Sequence, residues 1–156
     1  MRLMCDEMLL RLGRWLRAAG YDTAIAEGGS DDAALIARCA AERRVLLTRD
    51  RHLAARACGV VPVVRLADDR IEAQAHLLKA ALGIDWQRAP FTRCVIDNAV
   101  LDLAPPEAAA QVPAGSREAG GPLRRCPRCG RLYWPGGHVR RMQARLSSWA
   151  HTMPAR

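Results

Sequence analysis

Three aspartates and a pair of spaced cysteines are the residues of this sequence best suited to chemistry. Asp6 closes the apolar run Leu3-Met4-Cys5, Asp31 stands where a helical segment begins, and Asp50 follows the apolar run from Val45 to Thr48. Hard divalent cations prefer carboxylate oxygens and keep several waters. Two or three converging carboxylates can hold Mg²⁺ or Mn²⁺ against a phosphodiester, polarise the phosphoryl oxygen and activate a water for in-line attack. Asp6, Asp31 and Asp50 are therefore the candidate catalytic and metal-binding residues. Each has a plainer alternative. Asp31 suits the positive end of a helix, and Asp50 could cap the next one. Asp6 is harder to explain away, because a carboxylate buried at the end of an apolar strand is costly without a partner. Arg49 and Arg51 flank Asp50 and could contact phosphate, or could be solvated surface arginines. Asp68 and Asp69 could add a ligand, although a solvated turn is the simpler reading.

The cysteines carry a second chemistry. Cys126-Pro127-Arg128-Cys129-Gly130 has zinc-knuckle spacing: two thiolates can reach one tetrahedral Zn²⁺, and glycine permits the turn behind the second sulfur. Tyr133 and Trp134 could stack on bases or form a small core. His138 could face RNA, bind metal or simply start the final helix. Cys5, Cys39 and Cys58 lack metal spacing and read as buried thiols.

These residues need elements to position them. Leu3 to Cys5 reads as a strand ending at Asp6. Met8, Leu9, Leu12, Trp15, Leu16 and Ala19 recur at helical spacing, with Gly20 as C-cap; Trp15 falls on that core face. Tyr21 to Ala26 is a second strand. Ser30 is expected to be the N-cap of a helix with Asp31 and Asp32 in its first turn and Leu35, Ile36, Cys39 and Ala40 on its buried face. Val45 to Thr48 reads as a strand covered on both faces. A short helix runs from about His52 to Ala57, a fourth strand from Val60 to Val64 in which Pro62 marks an edge or an irregularity, and a helix from Ile71 to Leu82. This fourfold alternation predicts an α/β fold, a mainly parallel sheet flanked by helices. Right-handed crossovers bring Asp6 and Asp50 to the carboxyl edge of that sheet, where ligands of open α/β sheets bind. Ala104 to Pro122 reads as a loop or connector, and Val139, Met142, Leu146 and Trp149 mark a last amphipathic helix.

Length and charge narrow the function. The 156 residues suffice for one domain plus a small appendage, and only seven are aromatic, which disfavours a β sandwich. The formal charge of +8 and a pI of about 9.9 point to a polyanionic partner, most simply nucleic acid. No run reaches the roughly 18 apolar residues of a membrane span, and the start lacks a signal-peptide pattern. The expectation is a cytoplasmic protein without membrane association, whose cysteines are thiols or ligands.

Asp6-Glu7-Met8-Leu9, Arg14-Trp15-Leu16-Arg17 and Gly20-Tyr21-Asp22 together resemble the opening of the Mut-seven C-terminal RNase domain family. Ser30-Asp31-Asp32 and Leu47-Thr48-Arg49-Asp50-Arg51 are similar to its second and third motifs. The resemblance implies a PIN-like fold over residues 1–88 and a zinc-ribbon-like module with a C-terminal helix over residues 89–156. It implies a metal-dependent endoribonuclease using Mg²⁺ or Mn²⁺ at Asp6, Asp31 and Asp50. It also implies a structural Zn²⁺ at Cys94, Asp97, Cys126 and Cys129, in which Asp97 stands where the family has a cysteine. Asp97 could supply an oxygen ligand, water or His138 could complete the site, or the site could be empty. The first reading is favoured, since carboxylate is an ordinary zinc ligand. The alternative function is a non-catalytic PIN-like module that binds RNA or the ribosome.

Overall fold

A computed structural model describes residues 1–114 and 121–151. Four short strands form the main sheet: β1 (Arg2–Cys5), β2 (Asp22–Ile25), β3 (Val45–Thr48) and β4 (Val63–Arg65). They lie in the order β2-β1-β3-β4, all parallel. Side chains alternate across the central strands. Leu3, Cys5 and Leu47 enter one apolar layer, while Met4, Ala24 and Leu46 enter the other. Both faces are thus covered, as the unbroken apolar runs predicted. β4 is an edge strand; the Pro62 carbonyl accepts a bond from Leu46 N at its start.

A 3₁₀ turn (Glu7–Leu9) leads from Asp6 into α1 (Leu10–Ala18), which buries Leu12 and Leu16 under the sheet. Met8, assigned to the buried face by its spacing, is 57% exposed because it lies in this turn before the helix proper. Gly20 follows α1 at φ +94°, and a Cβ there would stand 2.5 Å from the Ala89 carbonyl oxygen. Only glycine lets the later chain pass this close. α2 (Asp32–Glu42) and α3 (Arg51–Ala57) cover the opposite layer with α4 (Ile71–Leu82) back on the first. Three local expectations need correction. Asp31, not Ser30, is the N-cap of α2; the Ser30 hydroxyl donates to the Glu27 carbonyl instead. Ala40 is exposed, one position past the buried stripe of Leu35, Ile36 and Cys39. Cys58 is exposed too, since α3 ends at Ala57 and the chain turns away from its buried face.

The second half builds a three-stranded antiparallel sheet from β5 (Asp102–Leu103), β6 (Arg124–Arg125) and β7 (Leu132–Tyr133). The stretch read as a connector from Ala104 to Pro122 contains a 3₁₀ helix (Pro106–Gln111) with Ala108 and Val112 buried; residues 115–120 lie outside the described ones. α5 (Gly137–His151) returns to the first layer. Trp149 sits edge-on between Trp15 and Trp86, with ring centroids 4.9 and 5.0 Å away. The last helix is therefore part of the same core as β1 and α4, and Trp15 packs in it as its helical spacing predicted.

Candidate active site and metal centre

β1 and β3 are neighbours, so the residues after them meet at the carboxyl edge of the sheet. Asp6 is 5% exposed there. Its Oδ2 accepts from the Thr48 hydroxyl, a close contact, and from Arg49 N at 3.2 Å. Thr48 Oγ1 in turn accepts from Asp50 N at 2.9 Å, so one buried threonine fixes both acids relative to each other. Asp6 Oδ1 is buried and has no hydrogen-bond partner among the described residues. Asp50 is exposed; its Oδ1 accepts from His52 N at 2.6 Å and Leu53 N at 3.2 Å. Those two backbone donors hold its carboxyl below the usual carboxylate range.

Asp6 and Asp50 line one cleft of about 80 Å³, together with the acids Glu7, Glu27 and Asp32. Asp31 is not among its lining residues. It is exposed, and its Oδ2 caps α2 by accepting from Ala34 N at 3.0 Å. Asp32 lines the cleft and pairs with Arg56 at 3.0 Å. Glu7 Oε2 accepts from Gly29 N at 2.9 Å, tying the turn after β1 to the loop after β2. Glu7, Glu27 and Asp32 were not singled out as site residues in the sequence; Glu7 and Asp32 had a signal in their adjacency to Asp6 and Asp31, and Glu27 had none. An orphaned buried carboxylate oxygen beside four further carboxyl groups fits the donor chemistry of a hard divalent cation. Arg49 is half-buried with its Nε lacking a partner among the described residues, and Arg51 is exposed at the start of α3. Asp68 and Asp69 stay away from the cleft; Asp68 pairs with Arg70 at 2.7 Å in an exposed turn.

The sulfur site converges more tightly. Cys94, Asp97, Cys126 and Cys129 each offer a ligand atom within 4.8 Å of the others, the one such group among the described residues. Cys94 and Cys129 sulfurs are 3.7 Å apart, and Asp97 Oδ2 lies 3.2 Å from Cys126 Sγ. Two matching turns deliver these donors. Asn98 N donates to Cys94 O as Gly130 N donates to Cys126 O, both at 3.0 Å. Asn98 takes φ +68° where Gly130 takes +72°; asparagine is among the few side chains that tolerate this region. Burial works against ionisation of Asp97, yet the Ala99 N–H and the neighbouring thiols more than offset it and hold the carboxyl at about 2. Burial pushes the Cys126 thiol up to about 12. A carboxylate and three thiols crowded this closely form a donor set that a cation such as Zn²⁺ would neutralise, so the cluster can bind a metal of that kind. His138 is exposed at the start of α5 and is not a member.

Arg17 and Asn98, neither evident from sequence, join the first turn to the sheet. The buried Arg17 guanidinium donates to Thr23 O at 2.8 Å, Val95 O at 3.2 Å and Ile96 O at 2.5 Å. Asn98 accepts from Thr23 N at 3.0 Å and donates to Asp22 at 2.8 Å. Tyr133 fills the small core of this lobe beside Cys94, Leu101 and Cys126, and its hydroxyl donates to the Cys94 sulfur at 3.2 Å.

The Cys/Asp cluster is the one the resemblance implied, while of the three implied aspartates only Asp6 and Asp50 share the cleft at the sheet edge. The family model for the Mut7-C RNAse domain matches residues 1–146. The chain belongs to the Mut7-C RNAse domain family. No curated protein and no solved structure matches it. The Mut7-C match runs from the first strand through most of α5, so it includes both the acid cleft and the Cys/Asp cluster. Among the described residues, no helix is long and apolar enough to cross a membrane.

Proposed function

We propose that this Mut7-C chain is a metal-dependent endoribonuclease acting at the cleft that holds Asp6 and Asp50. The observation that carries the reading is the unpartnered, buried Oδ1 of Asp6 in a cleft lined by carboxyl groups. Asp6 and Asp50 would hold Mg²⁺ or Mn²⁺, with Asp31 or its neighbour Asp32 completing the set. Such a cation, when bound, supplies Lewis-acid polarisation of a phosphoryl oxygen and acidifies water. The chain's own part is orientation. Thr48 and Arg49 N fix one oxygen of Asp6 and leave the other free to bind, while α3 fixes one oxygen of Asp50 through two backbone donors. Both acids sit at a sheet edge rather than on a mobile tip, which favours preorganisation. Arg49 and Arg51 flank Asp50 along the chain and would meet the phosphates of RNA. Zn²⁺ at Cys94, Asp97, Cys126 and Cys129 is structural in this reading, because four protein donors leave no open coordination position.

The test is cleavage of single-stranded RNA by purified protein in Mg²⁺ or Mn²⁺. Asp6→Asn and Asp50→Asn should each lower the rate on the order of 100-fold or more. Survival of metal-dependent cleavage in both variants would refute the assignment. One observation favours a second reading, a module that binds RNA without cutting it: the oxygens of Asp6, Asp31 and Asp50 do not form a group within 4.8 Å, while the sulfur site does. RNA binding without turnover across both metal titrations would select it.

A further inference from the structure

The charge of the chain is divided sharply. All sixteen acids precede Gly121, accompanied by sixteen of the 24 Lys and Arg residues, so residues 1–120 carry no formal net charge. The other eight, all arginines, follow Gly121 with no acid among them. The whole formal charge of +8 therefore belongs to the end of the chain, which carries β6, β7 and α5.

Two adjoining cavities of about 280 and 330 Å³ lie between the antiparallel sheet and α5. Phe91, Tyr133, Trp134 and Val139 line both, which puts the Trp134 indole in the wall they share. Arg124 and Arg140 line the first cavity, Arg131 and His138 the second, and among the described residues no carboxylate lines either. Gly136 gives the indole its place: a Cβ at that position would stand 2.6 Å from Trp134 Nε1. Arg140 is held by donating to the Pro135 carbonyl at 3.0 Å.

A recessed aromatic face rimmed by guanidinium groups matches an unstacked base joined to phosphates. A duplex offers no free base to such a recess, and an acidic peptide would satisfy the arginines while leaving the aromatic walls without a partner. We infer that this groove binds an unpaired base of single-stranded RNA, stacked on Trp134, with Arg124, Arg131 and Arg140 at the adjoining phosphates. The inference takes RNA as the polyanion from the reading above and otherwise stands on the groove itself. Phe91 N donates to Ala18 O in the last turn of α1, whereas Asp6 precedes its first turn. A helix of this length spans about 13 Å. The groove therefore acts on RNA capture, away from the cleavage cleft.

The test measures binding by the full-length Asp50→Asn chain, so that cutting does not interfere, using a fluorescein-labelled oligouridylate and a matched RNA duplex. Trp134→Ala should weaken single-strand binding roughly tenfold or more, leave duplex binding nearly unchanged, and be largely rescued by Trp134→Phe. Arg124→Gln and Arg131→Gln should each lower the salt slope of single-strand binding by about 0.7. Unchanged affinity in a folded, zinc-loaded Trp134→Ala chain overturns the inference. So does displacement of the RNA by polyglutamate as effectively as by polyuridylate, which would assign the groove to an acidic protein. Should Trp134→Ala not fold, 4-thiouridine crosslinking of the unsubstituted chain decides. Adducts within residues 131–143 support the groove, and adducts confined to residues 1–83 overturn it. Loss of cleavage in Asp6→Asn with unaltered binding in Trp134→Ala would sink this inference and spare the ribonuclease reading; the reverse pattern would do the opposite.

Discussion

The acid cleft and the Cys/Asp cluster are both collections of acidic side chains suited to a cation, yet they are built to different tolerances. The cluster gathers four ligand atoms within 4.8 Å through two turns of matching hydrogen-bond pattern. At the cleft, Asp6, Asp31 and Asp50 each commit an oxygen to a backbone N–H, and only Asp6 and Asp50 share the cleft. The difference follows from scaffold and role. Knuckle turns wrap their donors around a point, as a closed structural site requires. A parallel sheet sets its donors along an edge about 4.8 Å per strand apart, which leaves room for substrate and water. In the function proposed above, the first site would hold an ion and the second would share one with substrate.

The largest effect should come from breaking the tighter site. Chelation of metal, or Cys126→Ser, should unfold the antiparallel lobe, because its core consists of little more than Cys94, Leu101, Cys126 and Tyr133. Structural zinc contributes about 10–16 kcal/mol in small finger peptides. Limited proteolysis should then cut between β5 and β7 while β1 to β4 resist; an intact lobe without metal would show that apolar packing suffices.

Next in size is the buried threonine at the acid edge. Thr48→Val keeps the shape but leaves Asp6 Oδ2 without its hydroxyl donor, and should cost about 1–3 kcal/mol in denaturant unfolding. It should also lower cleavage, since the same hydroxyl positions Asp50 N. A neutral outcome in both measurements would mean that the edge is not preorganised by this contact.

Acid stability offers a smaller test of the strap between the two regions. Burial opposes ionisation of Asp22, but bonds from Arg44, Asn98 and Arg2 prevail and lower its carboxyl to about 2. A depressed folded value contributes stability that is complete above the unfolded value near 3.8 and disappears as the pH falls toward about 2. Asp22→Asn should flatten the stability profile in that window; an unchanged slope there would remove Asp22 from the strap. The smallest effect is expected from Asp97→Cys, which removes the acceptor of the Ala99 N–H but should tighten zinc binding in chelator competition with little change in fold, since the bonds from Asn98 N to Cys94 O and from Cys94 N to Ala99 O keep the turn. Weaker zinc binding would show that the site is shaped around an oxygen.

Much of the architecture was legible because it rests on local rules. The apolar runs at Leu3 and Val45, the helical spacing after Met8 and Ile71, and the glycine at position 20 each carry their signal within a few residues. Boundaries were less legible. Ser30 and Asp31 are both good N-caps, and the choice between them was settled by which oxygen reached Ala34 N. Cys58 looked like its buried counterparts because no local pattern tells a thiol on which side of the next turn it will fall.

By itself the sequence determined the alternation of strands and helices, the placement of Asp6 and Asp50 after the central strands, the knuckle at Cys126 and the family. All of these are set by periodicity, turn chemistry or short motifs. Tertiary structure alone decided what meets across long separations: Arg17 bridging to Val95 and Ile96, Trp149 entering the first core, and Glu27 and Asp32 entering the cleft beside Asp6, whereas the meeting of Asp97 with three cysteines was already implied by the family resemblance. The reason is physical. A hydrogen bond between residues dozens of positions apart leaves no periodic trace along the chain, since its geometry exists only once the intervening elements have packed.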